Sequence, residues 1–185
     1  MRTYVRAVVR DRRGRIIRDT GWRETNTLTK NFYALLRCAM QTEDTPVTRD
    51  DGTVGTAETP HSGTHYFIRI DNVTGADERG LLVGTGTTSP TRTDYSLESK
   101  IPHGTGSGQL YYYACEVVHG DDYVEVRRTF GNESGADITI KEVGLVAGYY
   151  DVDAADYKRT LIARSLFEIT IPNGGSATLY YRITG

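Results

Sequence analysis

Side chains alternate between apolar and polar along most of this sequence, and this period of two constrains the fold more than any other feature. The segment RTYVRAVVR places Val5, Ala7 and Val9 on one side of an extended chain, and DYVEVRRTF repeats the pattern later. Such alternation is typical of β-strands that have one buried face and one solvated face. The sequence therefore favours sheets over helices.

Clusters of turn residues separate these alternating segments. They stand at positions 11–14, 119–121, 132–135 and 172–175, and such clusters typically join antiparallel neighbours. About seven to nine short strands with tight turns predict an antiparallel sandwich or barrel. We expect an all-β fold, an antiparallel β-sandwich of jelly-roll-like type, and the 185 residues suit a single domain.

One segment, NTLTKNFYALLRCAMQ, follows a helical period instead. Its apolar residues recur three or four positions apart, which predicts one amphipathic helix near the N-terminus, packed on a sheet or on a neighbour. The predicted apolar face comprises Leu28, Phe32, Leu35, Leu36 and Ala39.

The domain divides into four consecutive regions. The sequence predicts an N-terminal hairpin at 1–25, the helix at 26–41, an extended loop or arm at 42–64 and the main sandwich at 65–185. The arm is polar and lacks periodicity. Structureless connections of that length are usually functional or ordered by a partner.

Composition argues against several classes of partner. The formal net charge of -2 gives no electrostatic signature of nucleic-acid binding, and no apolar run reaches the length of a membrane span. Arginines of the first hairpin interleave with apolar residues, so we interpret them as one solvated strand face, with an acidic partner as the alternative.

Two cysteines imply no disulfide framework, and the N-terminus lacks a signal peptide.

The glycine- and threonine-rich stretch at 80–109 lacks the features of a phosphate-binding loop. Its GTG sequence is followed by neither the required glycine, nor a lysine, nor a helix. Apolar residues spaced through the stretch predict an ordered loop rather than a flexible linker. Gly84 and Gly86 would let two backbones approach closely, either between subunits or within the loop packing.

No pattern for catalysis, cofactor binding or metal binding stands out. His61 and His65 are four apart but do not lie on a helix. The segment DVDAAD at 151–156 lacks the oxygen ligands and glycine of a calcium loop, and no nucleophile elbow occurs. We therefore predict no catalytic residue, no cofactor and no metal, and a protein that is not an enzyme.

Thirteen tyrosines, against four phenylalanines and one tryptophan, are the unusual feature of the composition. Tyrosine combines a large apolar ring with a polar tip, which suits protein interfaces. The predicted interface residues are Gly84, Gly86, Tyr95, Tyr111, Tyr113, Tyr149 and Tyr150. As an alternative, exposed tyrosines such as Tyr149 and Tyr150 would act as sugar platforms in a carbohydrate-binding or receptor-binding module.

Four segments, in order, resemble a group of small structural proteins of tailed-bacteriophage virions and prophages. They are TNTLTKNFYALLRCAM, GLLVGTGTTSPTRTDYSLESKIPHGTGSGQLYYYA, VRRTFGNESGADITIKEVGLVAG and LIARSLFEITIPNGGSATLYYRITG. The resemblance covers nearly the whole chain and is weakest in the arm and in YYDVDAADYKR. It implies a structural component of the virion. Together with the tyrosine-rich faces and the polar arm, it leads us to expect a protein made in the host cytoplasm that forms homo-oligomers and contacts capsid, portal, neck or tail proteins. It implies no catalytic residues.

Overall fold

The computed structural model describes residues 1–25, 27–41, 43–59, 65 and 68–185, and within them it has eleven strands and one helix. The elements are β1 (Arg2–Arg10), β2 (Ile16–Asp19), β3 (Arg23–Thr25), α1 (Lys30–Met40), β4 (Thr45–Thr48), β5 (Val54–Ala57), β6 (Gly80–Gly84), β7 (Tyr111–His119), β8 (Tyr123–Gly131), β9 (Ile138–Asp151), β10 (Asp156–Ile171) and β11 (Ser176–Thr184).

The strands form two antiparallel sheets. Sheet A has the order β2-β1-β11-β8-β7, with β3 also paired to β1. Sheet B has the order β10-β9-β5-β4, with β6 also paired to β9. The predicted all-β, sandwich-like fold with a single helix is therefore confirmed.

The core lies between the sheets and follows the alternation of the sequence. Val5, Ala7 and Val9 of β1 are at most 1% exposed, and β1 pairs along its whole length with β11. The inward side chains of β11, among them Leu179 and Tyr181, are fully buried. Because the period of two places these residues on one face, the register of the two strands follows from the pattern.

Helix α1 is shorter than predicted and turns a different face to the core. It begins at Lys30, and its buried residues are Asn31, Leu35 and Cys38. The Asn31 side chain donates to the Thr48 carbonyl and accepts from the Thr48 amide, so it joins the helix to β4. The expected inward position of Leu36 is wrong, since its side chain is 39% exposed.

The predicted arm also requires correction. Residues 45–48 and 54–57 pair as a hairpin, β4 with β5, and β5 continues onto β9 through Ala57. Val47 and Ala57 are buried and hold this hairpin on the sandwich. Two buried anchors are too few to produce visible periodicity, which is why the hairpin escaped prediction. Positions 42 and 60–64 of the predicted arm lie outside the described residues.

Candidate assembly and binding surfaces

A buried carboxylate holds the glycine-rich loop that follows β6. Glu142 of β9 is fully buried and accepts hydrogen bonds from the amides of Gly86 (3.0 Å), Ser99 (2.8 Å) and Glu98 (3.1 Å). It also accepts from Nε of Arg164 at 2.8 Å. A carboxylate with this many donors keeps its charge inside the protein without an unsatisfied oxygen.

Arg164 of β10 extends this network to two further carboxylates of the loop. Its side chain is 3% exposed and contacts Asp94 at 2.8 Å and Glu98 at 3.3 Å. Burial alone would raise the pKa of Asp94, but hydrogen bonds from Thr91 and Arg164 outweigh it and lower that pKa. The loop is thus an ordered part of the sandwich.

The two predicted interface glycines belong to the same packing. Gly84 and Gly86 are buried beside Glu142. A methyl group added at Gly86 would lie 2.6 Å from Cβ of Glu98, so the loop can approach β9 only with glycine there. Both glycines therefore contact the chain itself.

Tyr149 was expected on the surface, and that expectation is wrong. Its side chain is fully buried, and its hydroxyl donates to Oδ2 of Asp151 at 3.1 Å. Asp151 is also fully buried and pairs with Nε of Arg49 at 2.8 Å. Burial raises the pKa of Tyr149 above its usual value. The reason is that β9 is a central strand whose side chains are covered on both faces in this region.

The remaining predicted tyrosines are distributed over separate surfaces. Tyr150 is half-buried and stacks on His65 with a centroid distance of 3.5 Å, whereas His61 lies outside the described residues. Tyr95 is 43% exposed. Tyr111 and Tyr113 of β7 contact each other edge to face at 5.0 Å. Among the described predicted tyrosines, Tyr111 and Tyr113 are the two whose rings contact each other.

Sequence reasoning missed an apolar groove beside the helix, which we call the helix groove. It has a volume of about 310 Å³. Its described lining residues are Met1, Phe32, Leu35, Leu36, Ala39, Ile68, Ile70, Val124, Ile162 and Ile183. All ten are apolar, although they come from distant parts of the chain. The outer half of the helical apolar stripe, Leu36 and Ala39, forms one wall of this groove rather than part of the core.

Comparison with known proteins gives no assignment: no family model, no curated protein and no solved structure matches this chain.

Within the described ranges, no three histidine, cysteine, aspartate or glutamate side chains lie close enough together to hold a metal ion. In the same part of the chain, no helix has the length and apolar character needed to cross a bilayer.

Two hydrogen-bonded carboxylates, Asp94 and Asp151, predict a loss of stability in acid. Asp94 and Asp151 have lowered pKa values in the folded protein, because hydrogen bonds from arginine and other donors outweigh their burial. Their contribution is present above the unfolded pKa of about 3.9 and is lost as the pH falls toward the folded pKa. We expect the free energy of unfolding to change little from about pH 7 to pH 5 and to fall below about pH 4.

Urea unfolding at a series of pH values tests this expectation. The variant Asp151→Asn should be less stable at neutral pH and should show a shallower acid dependence than the parent protein. A parent protein with the same free energy of unfolding at pH 7 and pH 3 would contradict the assignment.

Proposed function

We propose that this chain is a structural component of a tailed-phage virion and assembles as a homo-oligomer through the helix groove. The resemblance of four ordered segments to small virion proteins supports the virion part of the proposal. The β-sandwich fold, with its loop clamped by Glu142 and Arg164, supplies a rigid unit suited to repeated contacts. Its place is on the head, neck or tail, as a decoration, adaptor or tail-associated protein.

The observation that carries the assembly proposal is the exposed apolar character of the helix groove. Leu36, Ile68 and Val124 are 39%, 38% and 43% exposed. Contiguous apolar patches on soluble proteins mark interaction sites. Removing such surface from water contributes roughly 25 cal/mol per Å², so covering the groove would stabilise an assembly.

The shape of this surface favours a second copy of the chain as its occupant. Leu36 and Met40 are four residues apart on α1, so they lie one turn apart on the same face and form an apolar ridge beside the groove. Met40 is 78% exposed. Around a two-fold axis, the ridge of one copy enters the groove of the other, and both apolar surfaces are buried at once. Among the described residues that line the groove, none carries a charged side chain that would select a charged partner.

Replacing Leu36 by glutamate is expected to weaken self-association about 100-fold or more. Each of two symmetry-related sites would lose roughly 1.5–3 kcal/mol of apolar burial and gain a charge. Light scattering coupled to size exclusion, and sedimentation velocity, measure the effect. The control is Ile17→Glu, an apolar residue of β2 that is 55% exposed and does not line the groove; it should assemble like the parent protein.

A parent protein that stays monomeric at high micromolar concentration would overturn the assembly proposal, as would a Leu36→Glu variant that assembles normally. The virion part has its own test. Mass spectrometry of purified particles from a phage or induced prophage that encodes the chain should detect it in multiple copies, and its absence from the particles would refute that part.

A further inference from the structure

A second groove, of about 480 Å³, crosses the outer face of sheet A over β7, β8 and β11. We call it the sheet groove. The side chains that matter to its chemistry are Tyr113, Glu116, Arg127, Thr129, Thr178 and Tyr180. It lies on a different surface from the helix groove and shares no lining residue with it. In contrast to the helix groove, it combines aromatic rings with paired polar groups.

The floor of the sheet groove contains Tyr180, Arg127 and Glu116, and strand register places Arg6 beside them just outside the groove lining. Arg6 of β1 lies opposite Tyr180 of β11, Tyr180 lies opposite Arg127 of β8, and Arg127 lies opposite Glu116 of β7. Nε of Arg127 donates to Glu116 at 2.8 Å, and Nε of Arg6 donates to Asp19 at 3.0 Å. Each arginine on either side of Tyr180 is therefore matched by a carboxylate.

Two hydroxyl groups continue the floor toward the other end of the groove. Thr129 and Thr178 are cross-strand partners whose Oγ1 atoms lie 2.9 Å apart. Each hydroxyl has one donor and two acceptor sites, and their mutual hydrogen bond occupies one donor and one acceptor. The pair keeps both donor and acceptor capacity for a ligand.

Tyr113 supplies an exposed aromatic surface held in position by its neighbours. Its side chain is 44% exposed and contacts the ring of Tyr111 edge to face. The space above Gly131 of β8 accommodates the ring, since a Cβ placed at Gly131 would lie 3.4 Å from Cε2 of Tyr113. A ring packed in this way loses little conformational freedom when a ligand binds.

We propose that the sheet groove binds an uncharged oligosaccharide. A pyranose ring has an apolar C–H face, which suits the rings of Tyr113 and Tyr180, and a rim of hydroxyls that both donate and accept. The Arg127–Glu116 pair and the threonine hydroxyls offer both hydrogen-bond donors and acceptors. An anionic ligand at this pair would be repelled by the Glu116 carboxylate as well as attracted by the Arg127 guanidinium. The paired charges therefore favour a neutral ligand.

Arg128 lies buried below the groove and is covered by backbone carbonyls. Its guanidinium is 1% exposed and donates to the carbonyls of Tyr113, Arg79, Val73 and Ala76. Those donors are already satisfied within the chain. The ligand therefore contacts the exposed pair of Arg127 and Glu116 directly, whereas the Arg128 guanidinium is covered by the chain.

The test is an array of neutral and uronic-acid-bearing bacterial polysaccharide fragments, followed by calorimetry with the best neutral fragment. We expect saturable binding to neutral fragments that changes less than about twofold between roughly 0.1 and 0.5 M NaCl, because the ligand carries no charge to be screened. Tyr113→Ala and Tyr180→Ala should each weaken binding at least about tenfold. The control Tyr95→Ala removes a ring of matching exposure, 43%, that does not line the groove, and it should bind normally.

Absence of saturable binding across the array, binding restricted to acidic fragments, or equal loss in Tyr95→Ala would each overturn the proposal. The tyrosine variants should retain the oligomeric state of the parent protein, because their side chains lie away from the helix groove. Failure of sugar binding is thereby distinguishable from failure of the assembly proposed above.

Discussion

Replacing Arg164 by methionine is expected to lower the free energy of unfolding by about 3–5 kcal/mol. The substitution leaves the fully buried carboxylate of Glu142 without its guanidinium partner, and it removes the contacts of Arg164 with Asp94 and Glu98. A buried charge that loses its partner retains the cost of desolvation without the compensating attraction. This single side chain joins β9, β10 and the glycine-rich loop, so its removal affects all three.

Urea denaturation followed by circular dichroism measures this loss, and hydrogen exchange locates it in the loop at 85–101. The matched control is Arg159→Met, on the same strand, whose pair with Asp50 is solvent-exposed on both sides. That variant should lose less than about 1 kcal/mol. Equal losses in the two variants would show that the buried network does not hold the loop.

The second large effect is expected at Arg128, where methionine should cost at least about 3 kcal/mol of stability. Methionine matches the aliphatic part of the side chain but removes the guanidinium that donates to the carbonyls of Tyr113, Arg79 and Ala76. Asn72 Nδ2 remains as a second donor to the Arg79 and Ala76 carbonyls. A hydrogen bond to a charged group contributes about 1.5–3 kcal/mol, and the variant loses several of them at once. Lysine should rescue little, because a single ammonium cannot reach carbonyls that the planar guanidinium spans.

The neighbouring residue gives the control for Arg128. Arg127→Met removes a guanidinium of the next residue on the same strand, but its pair with Glu116 is exposed, with side chains 46% and 56% accessible. A loss below about 1 kcal/mol is expected there. If Arg128→Met and Arg127→Met unfold at the same urea concentration, the hydrogen bonds from Arg128 to the backbone carbonyls do not contribute to stability as proposed.

The strands that were predicted well have one buried and one solvated face. In β1, the alternation of Val5, Ala7 and Val9 with arginines identifies both the strand and its inward side. In β9, the stretch around Tyr149 is covered on both faces, so alternation disappears and the sequence no longer indicates which side chains are exposed. The expected exposure of Tyr149 failed for this reason.

The surfaces were harder to predict because they join residues distant in sequence. Helical periodicity identifies the apolar stripe of α1, but it does not show that Leu35 faces the core while Leu36 faces an open groove. The pairing of Glu142 with Arg164 depends on the register of β9 and β10. The row across the sheet groove depends likewise on the order of β1, β11, β8 and β7. No local pattern reports that order.

The most direct test of the central claim is a density map of particles from a phage or prophage that encodes this chain. The assembly proposal predicts several symmetry-related copies, with the helix groove of each covered by the Leu36 and Met40 ridge of a neighbour. A map in which the chain is absent, or in which every helix groove faces solvent, would contradict it.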